Sequence, residues 1–146
     1  MEHALALARR AEQRGEVPVG AVLVQDGEVI GEGFNSPLSL NDPTAHAEII
    51  AIRAAAARKS NYRLPGSSLY VTLEPCPMCA GAIINARIKR LVFGAFDEKS
   101  GATGSVTDLL KPRLFNHHCL VTGGVMRESC GHLLSEFFLE KRRKSG

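Results

Sequence analysis

The sequence predicts an α/β fold, a central sheet of about five strands with helices on both faces. Three observations carry that prediction. Strand-like and helix-like segments alternate along the chain. The stretch 68–95 reads strand, helix, strand, the order and length of a right-handed crossover between parallel strands. The 146 residues, 45% hydrophobic and 23% charged, fit one domain with a real core, so residues 1–146 are expected to fold as a single unit.

The elements follow in order. Residues 2–14 read as a helix, with Leu5, Ala8 and Ala11 on one face, Arg9, Glu12 and Gln13 opposite, and Gly15 as the stop. Residues 17–24 read as a strand interrupted by Pro18 and Gly20. The Asp26-Gly27 turn returns the chain through Val29-Ile30 to Gly33, which predicts a β-hairpin. Residues 34–43 read as loop, and Asp42 or Thr44 is expected to cap a helix over 44–58. A strand over 68–73 follows the Pro65-Gly66 turn. A helix then runs from near Cys76 to Ala86, and a strand covers 89–95. Residues 94–112 are loop with one expected helical turn at 106–110, and 119–122 is a fifth strand. The last helix covers 126–143, with Cys130, Leu133, Leu134, Phe137 and Phe138 as its apolar stripe.

Composition removes several classes. No apolar run approaches the ~20 residues of a membrane span. The start, Met1-Glu2-His3-Ala4-Leu5, has no basic region ahead of a long apolar stretch, so no secretory signal is expected. Four cysteines do not make a disulfide scaffold, and a reduced cytoplasm is the expected compartment. The net charge of +3 is matched by residues 140–146 alone, where Glu140 faces Lys141, Arg142, Arg143 and Lys144, so residues 1–139 are neutral. The basicity belongs to one tail, either a solvated helix end or a contact for a polyanion.

Two motifs organise the chemistry: Thr44-Ala45-His46-Ala47-Glu48 and Glu74-Pro75-Cys76-Pro77-Met78-Cys79. Together they supply an imidazole, two thiols at Cys-x-x-Cys spacing, and a carboxylate two residues from the imidazole. Three such ligands suit zinc with water as the fourth, which leaves Glu48 to move protons. Both motifs are expected at helix starts, close together at one edge of the sheet, where free N–H groups and the positive end of the dipole favour thiolates. Residues at i and i+2 do not share a helix face, so His46 and Glu48 serve one site only if it lies at the helix end. Two other readings stay open on spacing alone. One is a thioredoxin-like redox pair; the other is a structural four-ligand site that adds Cys119 and Cys130. Otherwise those two cysteines read as buried small hydrophobes.

His-x-Glu followed by Pro-Cys-x-x-Cys is the signature shared by zinc-dependent nucleobase deaminases. His46-Ala47-Glu48 and Pro75-Cys76-Pro77-Met78-Cys79 match it. Beyond the signature, the chain resembles the bacterial tRNA-specific adenosine deaminases over Glu16–Val22, Gly31–Asn35, Asp42–Ile49 and Leu69–Gly81. The resemblance continues at Val92–Ala95 with Asp97, and at Leu133–Phe138. It implies a three-layer α/β/α cytidine deaminase-like fold and one Zn²⁺ per subunit on His46, Cys76 and Cys79, with Glu48 as the catalytic proton carrier. It also implies conversion of adenosine to inosine at the wobble position of a tRNA anticodon stem-loop, by a cytoplasmic homodimer. Asn35 matches a position that binds the target nucleotide; Phe138, Arg142 and Arg143 match positions near the RNA. Deamination of a free base or nucleoside is the alternative within the same chemistry. A silent RNA-binding subunit would be expected to have lost Glu48. The chain departs from such enzymes in starting inside the first helix, without their longer leader, and in a short tail after Arg143.

Overall fold

Helix α1 (Glu2–Gln13) forms because Ala4, Leu5, Leu7, Ala8 and Ala11 recur on one buried side. After it come β1 (Gly20–Gln25) and β2 (Glu28–Phe34), then α2 (Pro37–Leu40), α3 (Ala47–Lys59), β3 (Ser68–Leu73) and α4 (Pro77–Asn85). Strands β4 (Arg90–Ala95) and β5 (Leu120–Thr122) and the long helix α5 (Arg127–Ser145) complete the chain. These elements come from a computed structural model that describes residues 1–145; Gly146, the last residue of the expected domain, lies outside the described residues.

The sheet has five strands in the order β2-β1-β3-β4-β5. It is mixed: β1 pairs antiparallel with β2 and β3, whereas β3–β4 and β4–β5 are parallel. The β3-α4-β4 crossover joins adjacent parallel strands, as the 68–95 pattern predicts. Strand alternation assigns the faces. Val22 of β1 packs with Ala4 and Leu7 of α1, and a side chain at Gly94 of β4 would meet Cys130 of α5. Ala21, Leu23, Val71 and Phe93 lie on the opposite face with Ala51, Ala80 and Ile83 from α3 and α4. The result is three layers, helix–sheet–helix.

Glycine sets how closely α3 approaches β2. A Cβ at Gly33 would collide with the Ala47 carbonyl and lie 2.8 Å from Ala51 N. Gly31 faces Ala51 and Ala55 in the same way. The alanine face of α3 and the bare backbone of β2 therefore seat the helix directly on the strand, and that contact positions the residues at its N-terminus.

Several local expectations are corrected. Strand β1 starts at Gly20 rather than residue 17: Pro18 has no N–H to give to a ladder, and Val19 N bonds back to Val17 O at 2.8 Å. The segment 34–43 contains α2, with Pro37 in its first turn. Helix α3 starts at Ala47, not 44. Thr44 N–H and hydroxyl turn back to Asp42 Oδ1 at 2.8 and 2.7 Å, so Asp42 closes a local turn and neither it nor Thr44 caps the helix. No helical turn forms at 106–110; a bridge pairs Thr103 with Asp108 instead. In α5, Cys130, Leu134 and Phe137 are buried at i, i+4, i+7 spacing, and Phe138 falls off that stripe, 46% exposed. Cys119 and Cys130 are buried free thiols, as expected of small hydrophobes. Among the described residues no helix is long and apolar enough to cross a membrane.

Candidate metal centre

The site lies beyond the C-terminal end of β3, the middle strand of the sheet, so the edge concerned is the row of strand ends and not an outer strand. Two helices start there. Cys76 is the N-cap of α4, extended at φ −78°, ψ 174°, with Pro77 in the first turn fixing the geometry that follows. Cys79 lies inside that first turn and is fully buried. His46 is the N-cap of α3, also extended, at φ −74°, ψ 154°. The exposed N–H groups of both helices point their partial positive charge at the same place.

His46 Nδ1 is 3.6 Å from Cys76 Sγ and 3.5 Å from Cys79 Sγ. The three potential ligand atoms lie within 4.8 Å of one another. A tetrahedral zinc about 2.3 Å from sulfur and about 2.1 Å from nitrogen requires S···N separations of about 3.6 Å. The residues present therefore fit zinc in distance as well as in donor softness, and three protein ligands leave a fourth position open. Among the described residues this is the one such grouping; Cys119 and Cys130 do not join it. A redox pair needs only the two thiols, whereas here an imidazole nitrogen closes on both.

The electrostatics of the site agree. Hydrogen bonding from Cys79, then from His46, lowers the Cys76 thiol to about 4, against the cost of burial. The proton the pair retains stays on Cys79, which is pushed up by its bond to Cys76 and by burial. His46 is raised by its hydrogen bond to the Cys76 sulfur. A thiolate packed against a second thiol and an imidazole is a donor set that a metal cation can take over, displacing the remaining protons. Glu48, in the first turn of α3, is 4% exposed. Burial pushes its carboxyl up to about 7, a value suited to both accepting and giving a proton near neutrality.

The remaining residues named from sequence divide. Asn35 Oδ1 accepts the Ala47 N–H at 2.8 Å, satisfying the first free donor of α3 beside His46. Among the described residues, no hydrogen bond engages its Nδ2. Phe138 and Arg142 line a groove of about 1520 Å³ between α5 and the segment 96–100, and Leu73 and Ala95, at the ends of β3 and β4, form its floor. Arg143 does not line it; its guanidinium lies 3.9 Å from Glu140.

Two buried carboxylates had no role in the sequence reading. Glu16, 2% exposed, accepts Leu38 N–H at 3.1 Å, and Ser39 N–H and hydroxyl each at 2.7 Å. It thus caps α2 from 22 residues away. Glu74 accepts four donors from the chain after β4. Burial alone would raise both carboxyls, but the hydrogen bonds prevail and hold both below the usual carboxylate value. Their only sequence signal is an acidic residue beside valine or proline at an apolar strand boundary.

Known proteins resemble this chain in sequence and in fold. Residues 1–95 match the family model for the cytidine and deoxycytidylate deaminase zinc-binding region. A Haemophilus influenzae protein named tRNA-specific adenosine deaminase is 56% identical over 145 residues, covering 99% of this chain and 84% of that one. Its Bacillus subtilis namesake is 48% identical over 144 residues, covering 99% and 89%. A solved structure from work on A-to-I editing by tRNA:A34 deaminases at the wobble position superposes with a TM-score of 0.88 at 49% identity, covering 92% of this chain and 97% of that one. The His46–Cys76–Cys79 triangle at two helix starts, Glu48 buried beside it, and these matches lead to one assignment: the chain belongs to the cytidine and deoxycytidylate deaminase family and, within it, to the bacterial tRNA-specific adenosine deaminases.

Proposed function

We propose that this protein hydrolytically deaminates adenosine to inosine at the wobble position of a tRNA anticodon loop, releasing ammonia. The observation that carries the reading is the pairing of a zinc-compatible triangle, His46–Cys76–Cys79, with the carboxyl of Glu48, buried two residues from His46. Zinc, one per subunit, would be held by those three residues and would supply Lewis-acid chemistry that makes water acidic enough to attack at neutral pH. Glu48 takes one proton from the attacking water and passes it to adenine N1 as C6 becomes tetrahedral; it then takes the proton of the new C6 hydroxyl and delivers it to the amine, so that ammonia leaves as the C6 carbonyl of inosine forms. One carboxyl performs both transfers because it accepts and releases one proton in each and is a carboxylate again after both.

Asn35 fixes the start of α3 through Ala47 N–H, and its free amide group is offered to the target nucleotide. The anticodon loop leaves the wobble base unpaired, so moving it out of the stack into a pocket costs little. Phe138, exposed on the groove wall, stacks on RNA; Arg142 and Arg143 meet phosphates. Residues 1–146 act as one deaminase domain, in a cytoplasmic homodimer.

The test is inosine and ammonia production by zinc-loaded protein on an adenosine-containing anticodon stem-loop, beside a Glu48→Ala control. Conversion of the RNA that the substitution abolishes, with free adenosine and cytidine untouched, is the expected result. Turnover of a free base or nucleoside in place of the RNA would replace this reading with the small-substrate one.

A further inference from the structure

Glu74 is two residues from Cys76, yet its side chain turns away from the metal centre. The carboxylate is 2% exposed and is surrounded by donors from the loop that leaves β4. Asp97 N–H donates to Oε1 at 3.1 Å, joined on that oxygen by the Ser105 hydroxyl. Thr103 N–H and Ser105 N–H donate to Oε2 at 3.1 and 3.0 Å. Among the described residues no cation pairs with it. A carboxylate held only by backbone amides and one hydroxyl is an anion in a nest of donors. The loop is shaped to receive it: a Cβ at Gly101 would overlap the Glu74 carboxylate.

The backbone continues the link. Glu74 N–H bonds to Ala95 O at 2.9 Å, and Ala102 N–H to Pro75 O at 2.8 Å. The ligand turn Glu74–Cys76 and the loop 97–105 are therefore one connected unit. The same loop forms a wall of the groove through Asp97, Glu98, Lys99 and Ser100. One end of the unit carries a metal ligand and the other faces the groove that runs from the strand ends to α5.

We infer that Glu74 is a positioning residue for substrate, fixing the 97–105 groove wall in register with the Cys76 ligand turn so that RNA in the groove presents its base to the centre. The inference rests on the proposed RNA substrate. Because each carboxylate oxygen receives at least one N–H, an amide in its place must oppose a donor. At the Oε1 position the Ser105 hydroxyl can reverse and accept, but Asp97 N–H cannot. Glu74→Gln therefore releases the Asp97 end of the loop while keeping side-chain size. Ser105 is exposed, and Ser105→Ala removes one donor without disturbing the core.

The experiment measures kcat and KM on the anticodon stem-loop, with zinc content, for wild type, Glu74→Gln and Ser105→Ala. Expected is a roughly fivefold to tenfold rise in KM for Glu74→Gln, a smaller rise for Ser105→Ala, kcat within about twofold, and full zinc content in both. Unchanged KM in both variants overturns the inference. So does loss of zinc and kcat at unchanged KM, which would make Glu74 a prop for the ligand turn alone. If Glu74→Gln does not fold, Ser105→Ala decides by the same criterion. An inert wild type overturns the proposed function and this inference together; an active wild type with unshifted variants overturns the inference alone.

Discussion

His46 and Glu48 sit on opposite sides of a helix boundary: His46 is the extended N-cap of α3, and Glu48 lies in the first helical turn. Two residues on a continuous helix would diverge by more than half a turn. Here the backbone changes from extended to helical between them, so the imidazole reaches Cys76 and Cys79 while the carboxyl is buried in the same site.

Glu48 carries protons and does not hold the metal, so Glu48→Gln should separate the two roles. We expect kcat on the stem-loop to fall by roughly 10²–10⁴-fold with zinc content unchanged. Single-turnover inosine formation, with metal analysis of the same sample, checks it; a variant that loses zinc would make Glu48 part of the ligand set.

Zinc should stabilise the fold as well as activate it, because two helix starts and β3 converge on the ligands. Chelation is expected to reduce activity to background and lower Tm, with both restored by added zinc. At free zinc about a hundredfold above Kd, linkage gives about 2.7 kcal/mol, or roughly 5–10 °C in Tm for a chain of this size. Thermal melts with and without chelator measure it. Cys76→Ser should lower the melt of the untreated protein and leave the chelator with little further effect.

Glu16 should appear in the acid limb of the stability curve. Its carboxyl is buried, and hydrogen bonds from Ser39 and Leu38, with the charge of Lys141, hold it below the ordinary 4.5. A depressed folded-state pKa gives stability that is present above the unfolded value and lost as pH falls through the folded one. Wild type should therefore lose stability on acidification below about pH 4.5. Glu16→Gln should be less stable at pH 7 and flatter over that range, the two curves converging at low pH. Urea midpoints from pH 7 to 3 test this.

Phe138 is exposed and Arg142 lines the same groove. Phe138→Ala and Arg142→Ala should raise KM for the stem-loop with little change in Tm, by about 1–3 kcal/mol for the lost stacking platform. The Arg142 effect should shrink as salt rises, since phosphate contacts are salt-dependent. A large drop in Tm for Phe138→Ala would place the ring in the core.

How legible each feature was depended on its range. The β1–β2 hairpin was readable because Asp26-Gly27 allows the positive φ values of 52° and 77° that the turn adopts. The three ligand residues and Glu48 were readable because their chemistry is carried by residue type and short spacing. The α3 start was misplaced because Asp42 and Thr44 look like caps; Asn35, 12 residues upstream, provides the acceptor instead. Helix α2 was missed because four residues carry no periodicity, and its cap, Glu16, comes from another part of the chain.

The sequence by itself determined the alternation of strands and helices, the crossover over 68–95, and a set of donors whose softness suits zinc. Those properties reside in single residues or in repeats a few positions long, so they survive without coordinates. Only the tertiary structure decided that the imidazole closes on both sulfurs at 3.5 and 3.6 Å, that Glu16 and Glu74 are buried anchors, and that Phe138 faces solvent while Phe137 does not. Each of these depends on which distant segment arrives beside the residue: Gly33 letting α3 settle on β2, or the 97–105 loop folding around a carboxylate. Burial and hydrogen-bond partnership are properties of pairs far apart in the chain, and local patterning does not encode them.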